Sequence, residues 1–245
     1  MDALTTAAAS GLQARMDALD MLANNLANTS SNGFKIDREF YGTYLAPELA
    51  NESNPIIGES PVVQRHWTDF SQGSLLSTGN PTDLALSGKG FFSVNGPNGP
   101  LYTRNGSFHM NAAGVLVTTE GYPVRLTGNQ TLQTQSSDPI QVSRDGQITQ
   151  NGVALGQLEI VNFSEPNKLN KFASTYFTTP SPQDGPDTPS TAEVYQGTAE
   201  TSNAQPAESS ARMISLLRNF EMLQHAIKIG TDMNRHAIEE VARVS

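Results

Sequence analysis

The side chains able to do chemistry are few in this chain, and their spacing gathers none of them. His66, His109, His225 and His236 are scattered, with no His-Glu-x-x-His pair and no spacing that would close a metal site. Cysteine is absent, so disulfides and thiolate metal sites are excluded. Gly88-Lys89-Gly90 sets a lysine between glycines, but it lacks the preceding glycine and the following Ser or Thr of a phosphate-binding loop. No Gly-x-Ser-x-Gly turn offers a nucleophile, and the neighbouring acids Glu239-Glu240 fall on a helix flank open to solvation. These residues assign no catalytic, cofactor-binding or metal-binding position and predict no enzyme. What recurs is carboxamide chemistry, in Asn24-Asn25-Leu26-Ala27-Asn28. Each asparagine there brings two donors and an acceptor, suited to backbone groups left open at a helix end or to a subunit boundary. A plain polar C-cap is the alternative role.

The elements that must position these residues are helices at the two ends of the chain. From Met1 to about Asn28 there is no proline, and Ala8, Leu12, Leu19, Leu22 and Leu26 recur by fours and threes, the spacing of a helical seam. Thr29-Ser30-Ser31-Asn32-Gly33 should stop that helix, with Gly33 supplying the positive φ that lets the chain leave. Such a segment is marginal alone in water, because most helix stability comes from packing. From about Ala207 to Val244 a second register holds. Met213, Phe220, Ile227, Asn234 and Val241 stand seven apart, and Leu216, Leu223, Gly230, Ala237 and Val244 fill the intervening positions. That is a heptad seam, on a helix of about 38 residues and roughly 57 Å. Asn234 at a core position of the seam is read as fixing register, at a cost in stability, with a solvent-facing place on a slightly rotated helix as the alternative. The first helix is too short to cover the whole seam, so other subunits are expected to do so.

Between the helices the text is that of short strands. Leu84-Ala85-Leu86, Phe91-Phe92-Ser93-Val94, Leu101-Tyr102-Thr103, Val115-Leu116-Val117, Tyr122-Pro123-Val124, Ile140–Val142, Gln147–Gln150 and Gly156–Phe163 alternate with turn signals. Asn105-Gly106 and Asp145-Gly146 predict hairpins with tight type I′ turns. Turns at such spacing predict a mainly antiparallel sandwich or distorted barrel. Residues 35–60, broken by Pro47, Pro55 and Gly58, predict an extended connector, and the prolines of 180–189 predict a loop. The expected fold is α+β: residues 1–34 with 203–245 as a helical coiled-coil domain, 35–60 as connector, and 61–202 as a β-rich outer domain.

Composition narrows the partners. There are 24 acidic against 15 basic residues, a net charge of −9, with charged residues only 16% of the chain. Binding nucleic acid requires clustered Lys and Arg, and no basic run exists, which also disfavours an anionic membrane surface. No stretch approaches the ~18 apolar residues of a spanning helix, and the acidic, Ala/Thr-rich start is unlike a Sec signal peptide.

Three strings point to one family. The first is Asn24-Asn25-Leu26-Ala27-Asn28, followed by Ser30, Asn32 and Gly33-Phe34-Lys35. The second is Tyr102-Thr103-Arg104-Asn105-Gly106-Ser107-Phe108, with Gly114-Val115-Leu116-Val117 and Gly121-Tyr122-Pro123-Val124. The third is Tyr195-Gln196-Gly197 with Glu200-Thr201-Ser202-Asn203, then Glu208, Met213-Ile214, Arg218 and Phe220-Glu221. In this order they cover nearly the whole chain, which resembles the bacterial flagellar rod and hook family. Relatives usually follow Ser-Asn with Val and a pair of acids. Here Ala204-Gln205-Pro206-Ala207-Glu208 follows, which puts the contacts of that acidic turn in doubt.

The resemblance implies a structural subunit of the basal-body rod, polymerising through its terminal helices into a helical tube. Its partners would be other rod and hook-family proteins and the flagellar type III export apparatus, without nucleic acid, membrane insertion or cofactor. Its place would be the periplasm-spanning rod, reached without a Sec signal. A single middle domain favours a rod member over the longer hook proteins. The short, irregular Phe40–Pro61 connector with Arg218-Asn219-Phe220-Glu221-Met222 favours the proximal rod, with the distal rod as alternative and a secreted peptidoglycan-acting enzyme as the rival from another class. The residues expected to carry assembly are Asn24, Asn25, Leu26, Asn28, Gly33, Phe34, Met213, Leu216, Phe220, Leu223, Ile227, Asn234 and Val241.

Overall fold

Twenty-five residues free of proline form the first helix, α1 (Ala3–Ala27), and a 39-residue helix, α2 (Pro206–Val244), closes the chain. The computed structural model describes residues 3–45, 59–134, 138–181, 185–186 and 188–244. Proline at the first position of α2 is harmless, since that N–H would lie outside the helical ladder. The Gln205 carbonyl accepts the first helical bond, from the Ser209 N–H at 2.9 Å. The chain divides into two compact units. One comprises Met1–Ala27, Asp37–Trp67 and Gln205–Ser245, the other Asn28–Ile36 and Thr68–Ala204.

In the first unit α1 packs on α2 through Ala18, Leu22 and Leu216, with Leu19 and Met213 half-buried beside them. The supposed connector is more regular than its prolines suggest. Asp37–Leu45 and Glu59–Thr68 pair in a two-stranded sheet. Phe40, Tyr41, Thr43 and Tyr44 in one and Val62 and Val63 in the other are strand-favouring types. Pro47 and Pro55 lie outside the described residues.

The second unit is antiparallel wherever its strands pair. Its largest sheet has six strands in the spatial order 170–171, 176–178, 99–103, 91–96, 160–162, 188–189. Side chains alternate across it, and both faces are covered. Phe92 and Val94 enter the main core with Leu84, Leu86, Phe108, Leu116, Ile148 and Leu158. Phe91 enters a second cluster with Tyr102, Val161, Phe163 and Phe177. The class is α+β, and among the described residues no sheet closes into a barrel.

Turn chemistry corrects three details. Asn105-Gly106 is not a hairpin: the strands 99–103 and 108–110 on either side belong to different sheets. A Cβ at Gly106 would stand 1.7 Å from the Leu84 carbonyl oxygen, so the glycine is there for close approach. Asp145-Gly146 does join paired strands, 141–142 and 147–150, but only its glycine has positive φ. A type I′ turn needs both. Such a pair occurs at Asn151-Gly152, with φ 52° and 80°, between the paired Gln150 and Val153. The 180–189 segment ends in a short edge strand, Thr188–Pro189, the place in a sheet where proline is tolerated.

Two buried phenols make this unit sensitive to alkali. Burial raises the pKa of Tyr102 above its ordinary value and raises that of Tyr176 strongly, aided by the hydrogen bond the Tyr176 hydroxyl donates to Glu120. Unfolded tyrosines ionise at about pH 10. Above that pH the unfolded chain loses protons that the folded one keeps, so the stabilisation is complete below about pH 10 and lost as pH rises further. The melting temperature is expected to fall between about pH 9.5 and 11, and Tyr176→Phe to flatten the fall. An equal slope in the variant would remove Tyr176 from the account.

Candidate functional site

The asparagines at the end of α1 tie this chain to itself. Asn25 is buried, and its carboxamide makes two bonds to one peptide position. Its Nδ2 donates to the Asp37 carbonyl at 2.8 Å, and its Oδ1 accepts the Asp37 N–H at 3.0 Å. The strand that starts at Asp37 is thereby held to the helix. Asn28 accepts the Ser31 N–H on its carbonyl and the Ser31 hydroxyl on Oδ1, each at 3.1 Å, which forms the turn after the helix. Asn24 is exposed and Leu26 half-buried.

On α2 the side chains packed with Ala18 and Leu22 of α1 are Leu216 and Met213. Leu216 is buried, and Met213, Phe220, Leu223 and Ile227 are half-buried. The side chains of Asn234 and Val241 lie outside the described residues. A different set is exposed: Ile214, Leu217, Met222, Ile229 and Met233 on α2, and Met16 on α1.

The second unit holds a feature that the sequence reading did not single out. Gly33, Phe34 and Lys35 run into its interior beside Arg104 and Glu200. At Gly33 φ is +68°, and a Cβ would meet the Asn105 nitrogen at 2.2 Å, so both conformation and space demand glycine. Phe34 is fully buried, with the Lys171 ammonium 4.3 Å from its ring centre. Lys35 Nζ donates to Glu200 Oε1 at 2.6 Å and to the Ser71 carbonyl at 2.7 Å. Arg104 Nη1 reaches Glu200 Oε2 at 3.5 Å, and its Nη2 donates to the Gly88 carbonyl. The Gly73 N–H adds a bond to Glu200 Oε1 at 3.0 Å. The Lys35 and Glu200 side chains have no solvent exposure, and Arg104 has 5%.

Electrostatically this is two cations sharing one carboxylate out of water. Burial lowers the pKa of Lys35, against the opposing pull of Glu200, and burial likewise lowers that of Arg104. Asn203 completes the clasp. Its Oδ1 accepts the Ile36 N–H at 2.9 Å, and its Nδ2 donates to the Asp69 carbonyl at 2.7 Å. The signal was present in the sequence, since Lys35, Arg104, Glu200 and Asn203 all stand inside the three family-like strings. What was missing was their convergence over 165 residues between Lys35 and Glu200.

Chemically the arrangement joins distant segments of one chain. Among the described residues no group of three or more His, Asp or Glu could hold a metal ion, and no helix is long and apolar enough to cross a membrane.

Comparison with known proteins gives the same three segments. Residues 6–35 match the flagella basal body rod protein family, 85–150 the flagellar hook protein FlgE/F/G D1 domain, and 195–240 the flagellar basal body rod FlgEFG protein C-terminal family. The clasp takes Lys35, Arg104 and Glu200 from these segments in turn. Over 236 residues the chain is 32% identical to the flagellar basal-body rod protein FlgF of Caulobacter vibrioides, covering 93% of each. It is 33% identical over 256 residues to the FlgG of Borreliella burgdorferi, covering 95% of this chain and 96% of that one. The FlgG of Bacillus subtilis is 28% identical over 237 residues, 86% and 89% of the two chains. A helix-ended chain matched along nearly its full length, with its matched segments drawn into one clasp, belongs to the flagellar basal-body rod protein family and is a structural subunit of the rod.

Proposed function

We propose that this chain is a subunit of the proximal rod, that it polymerises through coiled-coil contacts of α1 and α2 with other rod and hook-family subunits, and that it reaches the rod through the flagellar type III apparatus. The observation that carries the reading is the apolar surface left on α2: Ile214, Leu217, Met222, Ile229 and Met233, each 45–67% exposed. Burying such a side chain fully is worth roughly 1.5–3 kcal/mol, so association covers what one chain leaves open. The helices, residues 1–34 and 203–245, form the tubular core in this reading. Residues 61–202 form the outer layer, joined through 35–60. Contacts between unlike faces of successive copies do not close on themselves and generate a helix of subunits.

The similarity to FlgF supports the proximal assignment, and the equal similarity to FlgG makes the distal rod the second reading. Deleting the gene is expected to abolish hook and filament while leaving the membrane ring in place. Image reconstruction of isolated basal bodies carrying a tagged copy then locates the subunit along the rod. Normally swimming deletion mutants would overturn the assignment, and density confined to the hook-facing end would select the distal reading.

A further inference from the structure

The clasp joins the first segment of the second unit to its last. Residues 28–36 bond to residues 200–203 at three points: the Gly33 N–H donates to the Glu200 carbonyl at 2.7 Å, the Ile36 N–H to Asn203 Oδ1, and Lys35 to Glu200. Ser71, the Asp69 N–H, Ser107 and Lys171 add contacts that carry no negative charge to Lys35. Arg104 comes from the middle of the unit and lies close enough to disfavour a second buried cation. We propose that the clasp is a folding-order lock, in which the 28–36 segment docks on the β unit only once Glu200 has arrived.

The argument is one of charge and of orphaned donors. Before Glu200 is in place, docking Lys35 would bring two cations together in a dry site whose other partners are the carbonyls of Ser71, Leu86 and Gly88. Asp69 also favours the charged Lys35, but less than Glu200 does and less than Arg104 opposes it, and its Oδ1 accepts the Ser71 N–H at 3.0 Å. An unpaired buried charge is strongly disfavoured. The N–H groups of Gly33 and Ile36 would also be buried without acceptors, each a cost of its own. With Glu200 present all of these terms change sign together. The chain start therefore stays open until residue 200 enters, and then both ends close in one step. The use of this delay in keeping an exported chain open rests on the rod reading above, but the lock is a property of the chain alone.

Pulse-labelling hydrogen exchange during refolding of the full-length protein tests it directly. Leu84 and Ser93, whose amides bond to the Gly106 and Glu159 carbonyls, report the core, and Thr201, bonded to Ser74, reports arrival of the last segment. Gly33 and Ile36 are expected to gain protection in the same phase as Thr201. Protection of either ahead of Thr201 overturns the lock. At equilibrium Glu200→Gln should speed exchange at Gly33 and Ile36 on the order of 100-fold relative to Leu84 and Ser93. Lys35→Met added to Glu200→Gln should restore most of that protection by removing the second cation. A double variant as open as the single one would show that charge is not what holds the segment off, and would also overturn the proposal. Both readouts use isolated protein, so their failure leaves the rod assignment standing, and a failed rod assignment leaves them intact.

Discussion

Leu216→Asp is expected to abolish motility while leaving the β unit folded. Among the described side chains of α2, Leu216 is the most deeply buried, in contact with the Ala18 and Leu22 cluster. A carboxylate there has no cation among its cluster partners, and burying an unpaired charge costs several kcal/mol. The helix pair has little to set against that, since among the described residues its buried apolar cluster is Ala18, Leu22 and Leu216. The amide circular dichroism of the variant should lose much of its helical signal at 222 nm, because α1 and α2 supply 25 and 39 helical residues. The near-ultraviolet signal of the packed rings at Phe91, Tyr102, Phe163 and Phe177 should be unchanged, as these rings belong to the other unit. Expressed in a deletion strain, the variant should restore neither hook nor swimming. Swimming with an intact helical spectrum would show that the Leu216 contact is dispensable.

Phe92→Ala carries the largest expected cost in the β unit. Phe92 is fully buried in the main core, edge-on to Phe108 with ring centres 5.3 Å apart. Truncating a core phenylalanine costs about 3–5 kcal/mol, the transfer term plus the cavity left behind. In a unit of this size that corresponds to a melting temperature lower by about 10 °C or more. Thermal melts followed by near-ultraviolet circular dichroism measure it, and a shift below about 3 °C would mean that Leu84 and Phe108 collapse into the space.

The helices, their ends and most of the central strands could be read from the sequence because their signals are local. A proline-free heptad announces α2, and Pro206 marks its start within one residue. Leu84–Leu86, Phe91–Val94 and Gln147–Gln150 are strands because apolar alternation and turn residues sit side by side. The paired strands at 37–45 and 59–68 were hidden by the prolines between them, since strand pairing over that distance is not a local property. Asn105-Gly106 misled for a related reason. The dipeptide permits a hairpin, but whether the flanking strands pair depends on the rest of the sheet. The clasp was the least legible part. A buried lysine and a surface lysine look alike in one sequence, and only the fold brings Lys35 within 2.6 Å of a carboxylate that lies 165 residues away.

The six-stranded sheet has one more consequence, for how this protein avoids associating in the wrong way. Its outermost strands, 170–171 and 188–189, are only two residues long. One ends in Lys171, whose ammonium is turned back to the Lys35 carbonyl, and the other ends in Pro189, which has no N–H to offer. Long, flat sheet edges recruit strands from other molecules and seed fibrous aggregates, whereas short edges bearing lysine or proline do not. A structural subunit of the rod that polymerises as proposed above would face that hazard more than most, because its copies would be brought together by design. In that assembly, blunting this sheet at both rims would leave ordered stacking to the helices and keep crowded copies from knitting together strand to strand.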